Sequence, residues 1–235
     1  MEALRPEVDV LICSIFVNPL QFAQGEDLDA YPRDAAGDAV RCEEAGVDVL
    51  FSPDTMYAAG HDTRVAVGAL ARRWEGAARP THFEGVATVV ARLFGVTRCD
   101  VAAFGEKDYQ QLAVIRRMVA DLALPVRVVG CPLIRDDDGL ALSSRNVYLT
   151  AAQRTRARTL SQALFAMQRD VEEGIDEVSV LERRAAERVE CDRLEYLRIV
   201  DPRTLEPVDR VSATCRVLAV AHYGSTRLLD NLEVG

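Results

Sequence analysis

No apolar run in this chain approaches the roughly 18 residues that a membrane-spanning helix needs. Met1 is followed by an acidic residue and not by the apolar core of a signal peptide. Basic residues are outnumbered: 28 Lys and Arg stand against 37 Asp and Glu, a formal net charge of −9. A general nucleic-acid or membrane-surface binder needs a basic stripe, which this balance argues against. The six cysteines, Cys13, Cys42, Cys99, Cys131, Cys191 and Cys215, include no Cys-x-x-Cys pair, which argues against a zinc knuckle. Cys13, Cys99, Cys131 and Cys215 sit in or beside apolar runs and are expected to be buried thiols of a cytoplasmic protein.

What is present describes a globular protein. The 235 residues are 49% apolar and 28% charged, enough for one large domain or two modest ones. The first half alternates short apolar runs with helical patterns. Strands are expected at 8–16, 47–51, 100–104 and 126–129. Helices are expected at 34–45, with Asp34 as cap and Gly46 as stop, at 86–96 and at 108–122. Such alternation argues for α/β architecture, a parallel sheet with helices on both faces. After Pro132 the pattern changes. A turn at Asp136-Asp137-Asp138-Gly139 precedes a long helix from 151 to about 173, capped by Thr150, and a second helix over about 177–189. Strands at 194–200 and 215–221 follow. Helices and then antiparallel strands predict a smaller C-terminal α+β domain, with a boundary near residues 133–135, giving domains 1–133 and 134–235.

The most informative segment is Phe104-Gly105-Glu106-Lys107-Asp108-Tyr109-Gln110-Gln111. A strand end, a glycine, a cation and a helix N-terminus together make a site for phosphate, with Asp108 as helix cap and Lys107 beside free backbone N–H groups. Leu112, Ile115, Val119 and Leu122 mark the core face of that helix. Gln111 lies on its flank, so its amide is expected inward, and Gln110 is expected toward solvent.

This segment, together with Ser14-Ile15-Phe16-Val17-Asn18-Pro19-Leu20-Gln21-Phe22, Arg79-Pro80-Thr81-His82-Phe83-Glu84-Gly85-Val86 and Asp138-Gly139-Leu140-Ala141-Leu142-Ser143-Ser144-Arg145-Asn146, resembles the pantoate–β-alanine ligase (pantothenate synthetase) family. The four blocks keep the family's order and spacing from about Asp9 to the C-terminus. The resemblance implies a Rossmann-like fold of the nucleotidyltransferase superfamily. It implies ATP as a substrate, with Mg2+, in joining pantoate to β-alanine through a pantoyl adenylate, releasing AMP and pyrophosphate. It assigns pantoate to Asn18, Gln21 and Gln111. It assigns ATP to Gly105, Lys107, Asp108, Ser143, Ser144 and Arg145, with Lys107, Ser143, Ser144 and Arg145 in the catalytic set. Arg79 and His82 would border the substrate site. Residues 23–33 would form a lid, and Asp38 would help hold the metal, although the neighbouring family acid is Gly37 here. The family also implies a homodimer.

The resemblance includes one departure. The family begins with a strand, a glycine-rich turn carrying His-x-Gly-His, and a helix. The histidines here are His61, His82 and His222, no two of them three apart. On the order of 30 residues of that strand–turn–helix unit are therefore expected to be missing. Two readings follow: a start upstream of Met1, or a catalytically impaired homologue that binds pantoate or a partner subunit.

Overall fold

The computed structural model describes residues 1, 3–22, 28 and 33–235. The chain forms two compact units, Met1–Phe104 with Gln110–Cys131, and Gly105–Tyr109 with Pro132–Gly235. Grouping Gly105–Tyr109 with the second unit is a feature that no sequence pattern indicated.

In the first unit, β1 (Ile12–Ser14) pairs in parallel with β2 (Val49–Phe51), Ile12 opposite Val49 and Ser14 opposite Phe51. Between them runs α1 (Ala35–Glu44), the crossover that parallel neighbours require. Its boundaries are those the sequence predicts: the Asp34 carboxylate accepts from Gly37 N at 3.0 Å, and Gly46 stands at φ +71°, where a side chain would be strained. After β2 the chain continues through α2 (Glu75–Ala78), α3 (His82–Thr97), β3 (Val101–Gly105), α4 (Tyr109–Asp121) and β4 (Arg127–Cys131), with β3 and β4 paired. Val86, Val89, Val90 and Phe94 of α3 form a core with Ile115 and Met118 of α4. Phe16, Phe51, Ala102, Phe104 and Val128 pack onto it from the strands and their ends, so helices cover sheet as the α/β pattern requires.

Several boundaries differ from expectation. The strand expected over 8–16 is confined to β1, the three residues that pair with Val49–Phe51 of β2. Helix α3 begins at His82, four positions before the expected 86, so His82 belongs to a helix and not to the loop. Leu122 is 52% exposed, since α4 ends at Asp121 and Ala123 turns to φ +50°. The buried side of α4 is Leu112, Val114, Ile115 and Met118.

In the second unit, α5 (Ala151–Glu172) and α6 (Val178–Arg188) precede an antiparallel sheet in the order β5 (Arg193–Val200), β6 (Cys215–Tyr223), β7 (Thr226–Val234). Leu160, Leu164 and Met167 of α5 and Leu181 of α6 bury against Leu197, Ile199, Val217 and Tyr223 of the sheet. Each fully buried side chain of this kind stabilises by about 2 kcal/mol. Strand β7 was not foreseen, because Asp230 and Asn231 interrupt its apolar alternation. It pairs with β6 along its whole length, from Cys215 opposite Val234 to Tyr223 opposite Thr226, around a tight turn at Gly224, φ +62°.

All six cysteines are free thiols. Cys215 is buried as expected, whereas Cys13, Cys99 and Cys131 are half-buried, and Cys42 on α1 is buried in their place. Burial and the neighbouring Cys42 push the Cys13 thiol up to about 11.

The second unit offers two tests of stability. Thr150 caps α5 in a reciprocal box with Gln153, Thr150 Oγ1 accepting from Gln153 N at 3.3 Å and Gln153 Oε1 from Thr150 N at 2.9 Å. Thr150→Ala should cost about 1 kcal/mol, read as a lowered urea midpoint with unchanged slope. On the sheet, Arg227 grips the Glu195 carboxylate at 2.9 and 3.0 Å, and His222 Nε2 lies 2.6 Å from it. The Arg227 hydrogen bonds, then His222, hold that carboxyl down from 4.5 to about 2. Its contribution is therefore complete above pH 4.5 and is lost as pH falls through about 2. Glu195→Gln should flatten the stability–pH curve across that window in acid-titrated thermal melts.

Candidate functional site

The first unit builds an amide-lined turn. Asn18 is held extended, φ −77° and ψ 109°, as the following Pro19 imposes, and it is 2% exposed. Its Oδ1 accepts from Tyr57 Oη at 2.7 Å and Leu20 N at 3.3 Å. Its Nδ2 donates to Gln21 Oε1 at 3.1 Å and Gly85 O at 3.0 Å. The Asn18 amide is thus fully used within the protein. It also orients Gln21: with Oε1 taken by Asn18, the donor end of the Gln21 amide is directed away from it.

Arg79 and His82 act on the same turn through its backbone. Arg79 donates to Gln21 O at 3.2 Å, and His82 Nδ1 lies 2.9 Å from the same oxygen. Gly85 lets the first turn of α3 touch this loop. A Cβ there would stand 2.3 Å from Leu20 O and 2.6 Å from Gln21 N. The structure therefore brings Asn18, Gln21, Arg79 and His82 together. Sequence reasoning missed Tyr57, which lies 39 positions from the Asn18 it bonds and belongs to no motif. Burial raises the Tyr57 phenol, so it remains a hydrogen-bond donor.

One of the two glutamines of α4 differs from expectation. Gln110, expected toward solvent, is 4% exposed, and Gln111 is half-buried. Gln110 Nε2 donates to Leu70 O and Arg73 O, both at 2.8 Å, and Oε1 accepts from Glu75 N at 3.0 Å. The reason is tertiary: the loop through Trp74, itself at φ +48°, covers that side of the helix and needs partners for its backbone.

The second unit carries the cationic and hydroxyl groups. Glu106–Asp108 form a 3-10 turn ahead of α4. Asp108 does not cap the helix as expected; it pairs with Lys107 Nζ at 3.3 Å. The segment is fastened to the sheet. Asn231 Nδ2 donates to Glu106 O at 2.9 Å and Lys107 O at 2.8 Å. Arg216 reaches Glu106 Oε2 at 3.0 Å, and its guanidinium lies 4.0 Å from the centre of the Tyr109 ring. Arg216 and Asn231, also missed, lie more than 100 positions from Glu106.

Ser143 opens the turn Ser144–Tyr148, its Oγ accepting from Arg145 N at 3.3 Å. Ser144 is exposed and Arg145 half-buried. Both this turn and Glu106–Asp108 pack on β7. The unit thereby gathers Lys107, Asp108, Ser143, Ser144 and Arg145 around one strand, with Gly105 at the end of β3.

Metal ligation is weakly provided. Among the described residues no group of three or more His, Cys, Asp or Glu side chains could hold a metal. Asp38 is engaged by Arg41 at 3.0 Å, so its carboxylate does not fit the role of a ready ligand. The lid expected at 23–33 lies outside the described residues except for Leu28 and Arg33. Among the described residues no helix is long and apolar enough to cross a membrane.

Residues 1–233 match the family model of pantoate-beta-alanine ligase. The pantothenate synthetase of Rhizorhabdus wittichii is 50% identical over 238 residues, spanning 100% of this chain and 84% of its own. A crystal structure of pantothenate synthetase from Thermus thermophilus superposes with a TM-score of 0.95 at 50% identity, covering 98% of this chain and 86% of that one. A pantoate-beta-alanine ligase from Francisella tularensis, solved with beta-gamma ATP and beta-alanine, gives a TM-score of 0.78 at 30% identity, covering 98% and 82%. The chain belongs to the pantoate–β-alanine ligase family.

The close approach at Gly85 generates a test. Gly85→Ala must push the Asn18–Gln21 turn away from α3, because the obstructing atoms are backbone. The expected outcome is a KM for pantoate raised at least tenfold with a smaller change in kcat, measured by steady-state AMP release. An unchanged KM would sink the assignment of this turn to substrate.

Proposed function

We propose that this chain performs its family's reaction, the ATP-dependent condensation of pantoate with β-alanine to pantothenate, releasing AMP and pyrophosphate. The observation that carries this reading is the seating of the Lys107 turn and the Ser144–Tyr148 turn on one strand of the second unit. The amide-lined Asn18–Gln21 turn of the first unit supports it.

The chemistry needs placement and charge stabilisation more than a nucleophile. A carboxylate resists attack by an amine. Its attack on the α-phosphate of ATP forms an acyl adenylate and expels pyrophosphate, and AMP is then a good leaving group for amide formation. Charge builds on the phosphoryl oxygens in the first step, which calls for fixed cations and hydroxyl donors. Lys107 and Arg145 supply the positive charges, and Ser143 and Ser144 supply hydroxyls to the phosphates. Gly105 and Asp108 flank the nucleotide beside Lys107.

Gln21 and Gln111 donate to the hydroxyl and carboxylate oxygens of pantoate. Asn18 aims Gln21, and Arg79 and His82 fix the Gln21 carbonyl. Magnesium, if it comes with ATP, would be held largely by phosphate oxygens and would offset their charge. The family resemblance further supports a cytoplasmic homodimer, to be checked by sedimentation of the purified chain.

The decisive experiment is AMP formation with ATP, magnesium, pantoate and β-alanine, with pantoate omitted as control. Pantoate-dependent AMP is expected, and Lys107→Ala should lower kcat by about 10²–10³-fold, the range for losing one preorganised charge-stabilising group. A folded chain that releases no AMP would overturn the proposed activity.

A further inference from the structure

Two successive residues of β7 face opposite sides of the sheet, as strand geometry dictates, and each grips a different segment of the second unit. Asp230, 3% exposed, accepts both ends of the Arg135 guanidinium at 2.8 and 2.9 Å. Arg135 begins a short hairpin, bridged to Ala141, whose turn is closed by Gly139 N donating to Asp136 O at 2.8 Å. Arg135 also donates to Gly139 O at 3.1 Å, and Leu142 N to Ile134 O at 2.9 Å. Arg154 of α5 holds the same turn from the other side, at 2.6 Å from Asp136 and 2.8 Å from Asp138. Ser143, Ser144 and Arg145 follow directly in the chain.

Asn231, also 3% exposed, spends both amide hydrogens on Glu106 O and Lys107 O. Its orientation is forced, because the flipped amide would set an oxygen against two carbonyl oxygens. One dipeptide thus holds the backbone that carries Lys107 and the hairpin that leads to Ser143, Ser144 and Arg145. A rigid strand between them fixes their separation more tightly than either loop could alone.

We propose that Asp230 and Asn231 are paired positioning residues that lock the Lys107 turn and the Ser143–Arg145 segment in register on β7. The two phosphate-binding segments then meet the nucleotide as one preformed set. This rests on the assignment of those segments to ATP. A displacement on the order of 1 Å in such a set costs about 10²-fold in rate.

The test uses the full chain and two near-isosteric variants, Asn231→Leu and Asp230→Asn. Hydrogen–deuterium exchange is followed by peptide, beside steady-state kinetics. For Asn231→Leu, the expected result is exchange at least tenfold faster in the peptide spanning 105–109, with β5 and β6 unchanged. Its kcat should fall about 10²-fold, with KM for β-alanine within about twofold. Asp230→Asn should loosen the 134–146 peptide in the same selective way.

Faster exchange across all three strands, or wild-type exchange and kcat in Asn231→Leu, would overturn the proposal, since a packing role tolerates an apolar isostere. If the wild-type chain releases no AMP, the ligase reading falls, and pyrophosphate is the remaining probe. Added pyrophosphate should slow exchange in both segments of the wild type and only in the 134–146 segment of Asn231→Leu. Protection of both segments in the variant, or of neither in the wild type, would reject the lock.

Discussion

The backbone of Lys107 is held by a side-chain amide that arrives from the far end of the chain. Asn231 meets Glu106 and Lys107 through two hydrogen bonds of 2.9 and 2.8 Å, and nothing in the local sequence around Lys107 provides an equivalent hold. A lysine on a short 3-10 turn would otherwise sample many positions, and in the role proposed for it, meeting a phosphoryl group, its charge is useful only where it is already placed. The nine-residue pairing of β6 with β7 makes that hold rigid, because Arg216 and Asn231 stand on neighbouring strands and both reach the same turn. The apolar burial of α5 and α6 on the sheet therefore supports the hold on the Lys107 turn as well as the stability of the unit.

The first unit solves a related problem by different means. Under the proposed function it would present amide groups to a small polar acid while the backbone around them stays satisfied. Asn18 is consumed internally, and the carbonyl of Gln21 receives a guanidinium and an imidazole. The glycine at 85 brings helix and turn to backbone contact. Residues that resemblance places beside substrate thus divide into those that reach outward, such as Gln21, and those that aim them, such as Asn18, Arg79 and His82. Tyr57 joins the second group, and Gln110 does comparable work one layer back by holding the loop ahead of α2.

The elements that were legible in the sequence are those whose signals are local. Asp34 and Gly46 bound α1 as capping chemistry predicts, and Thr150 opens α5 with its box complete. The α/β alternation and the α+β character of the C-terminal part follow from apolar periodicity, which reports which face of an element is buried. Where expectation failed, a tertiary neighbour had overridden the pattern. Gln110 is inside because a loop crosses it, and β7 was missed because Asp230 and Asn231, polar and buried, break the alternation by which a strand is recognised. Asp108 reads as a cap, yet a 3-10 turn precedes the helix and its carboxylate pairs with Lys107.

The sequence by itself determined the family, the order of the motif blocks and the residue types that phosphate and a hydroxy acid require, because these are short-range properties of the chain. Only the tertiary structure decided which of those residues can point at a ligand and which are spent holding a neighbour. Hydrogen-bond satisfaction inside a folded protein is settled between segments far apart in sequence: 39 positions for Tyr57 and Asn18, 67 for Asn18 and Gly85, 124 for Asn231 and Lys107. Each buried amide has only four bonds to make, and folding chooses where they go.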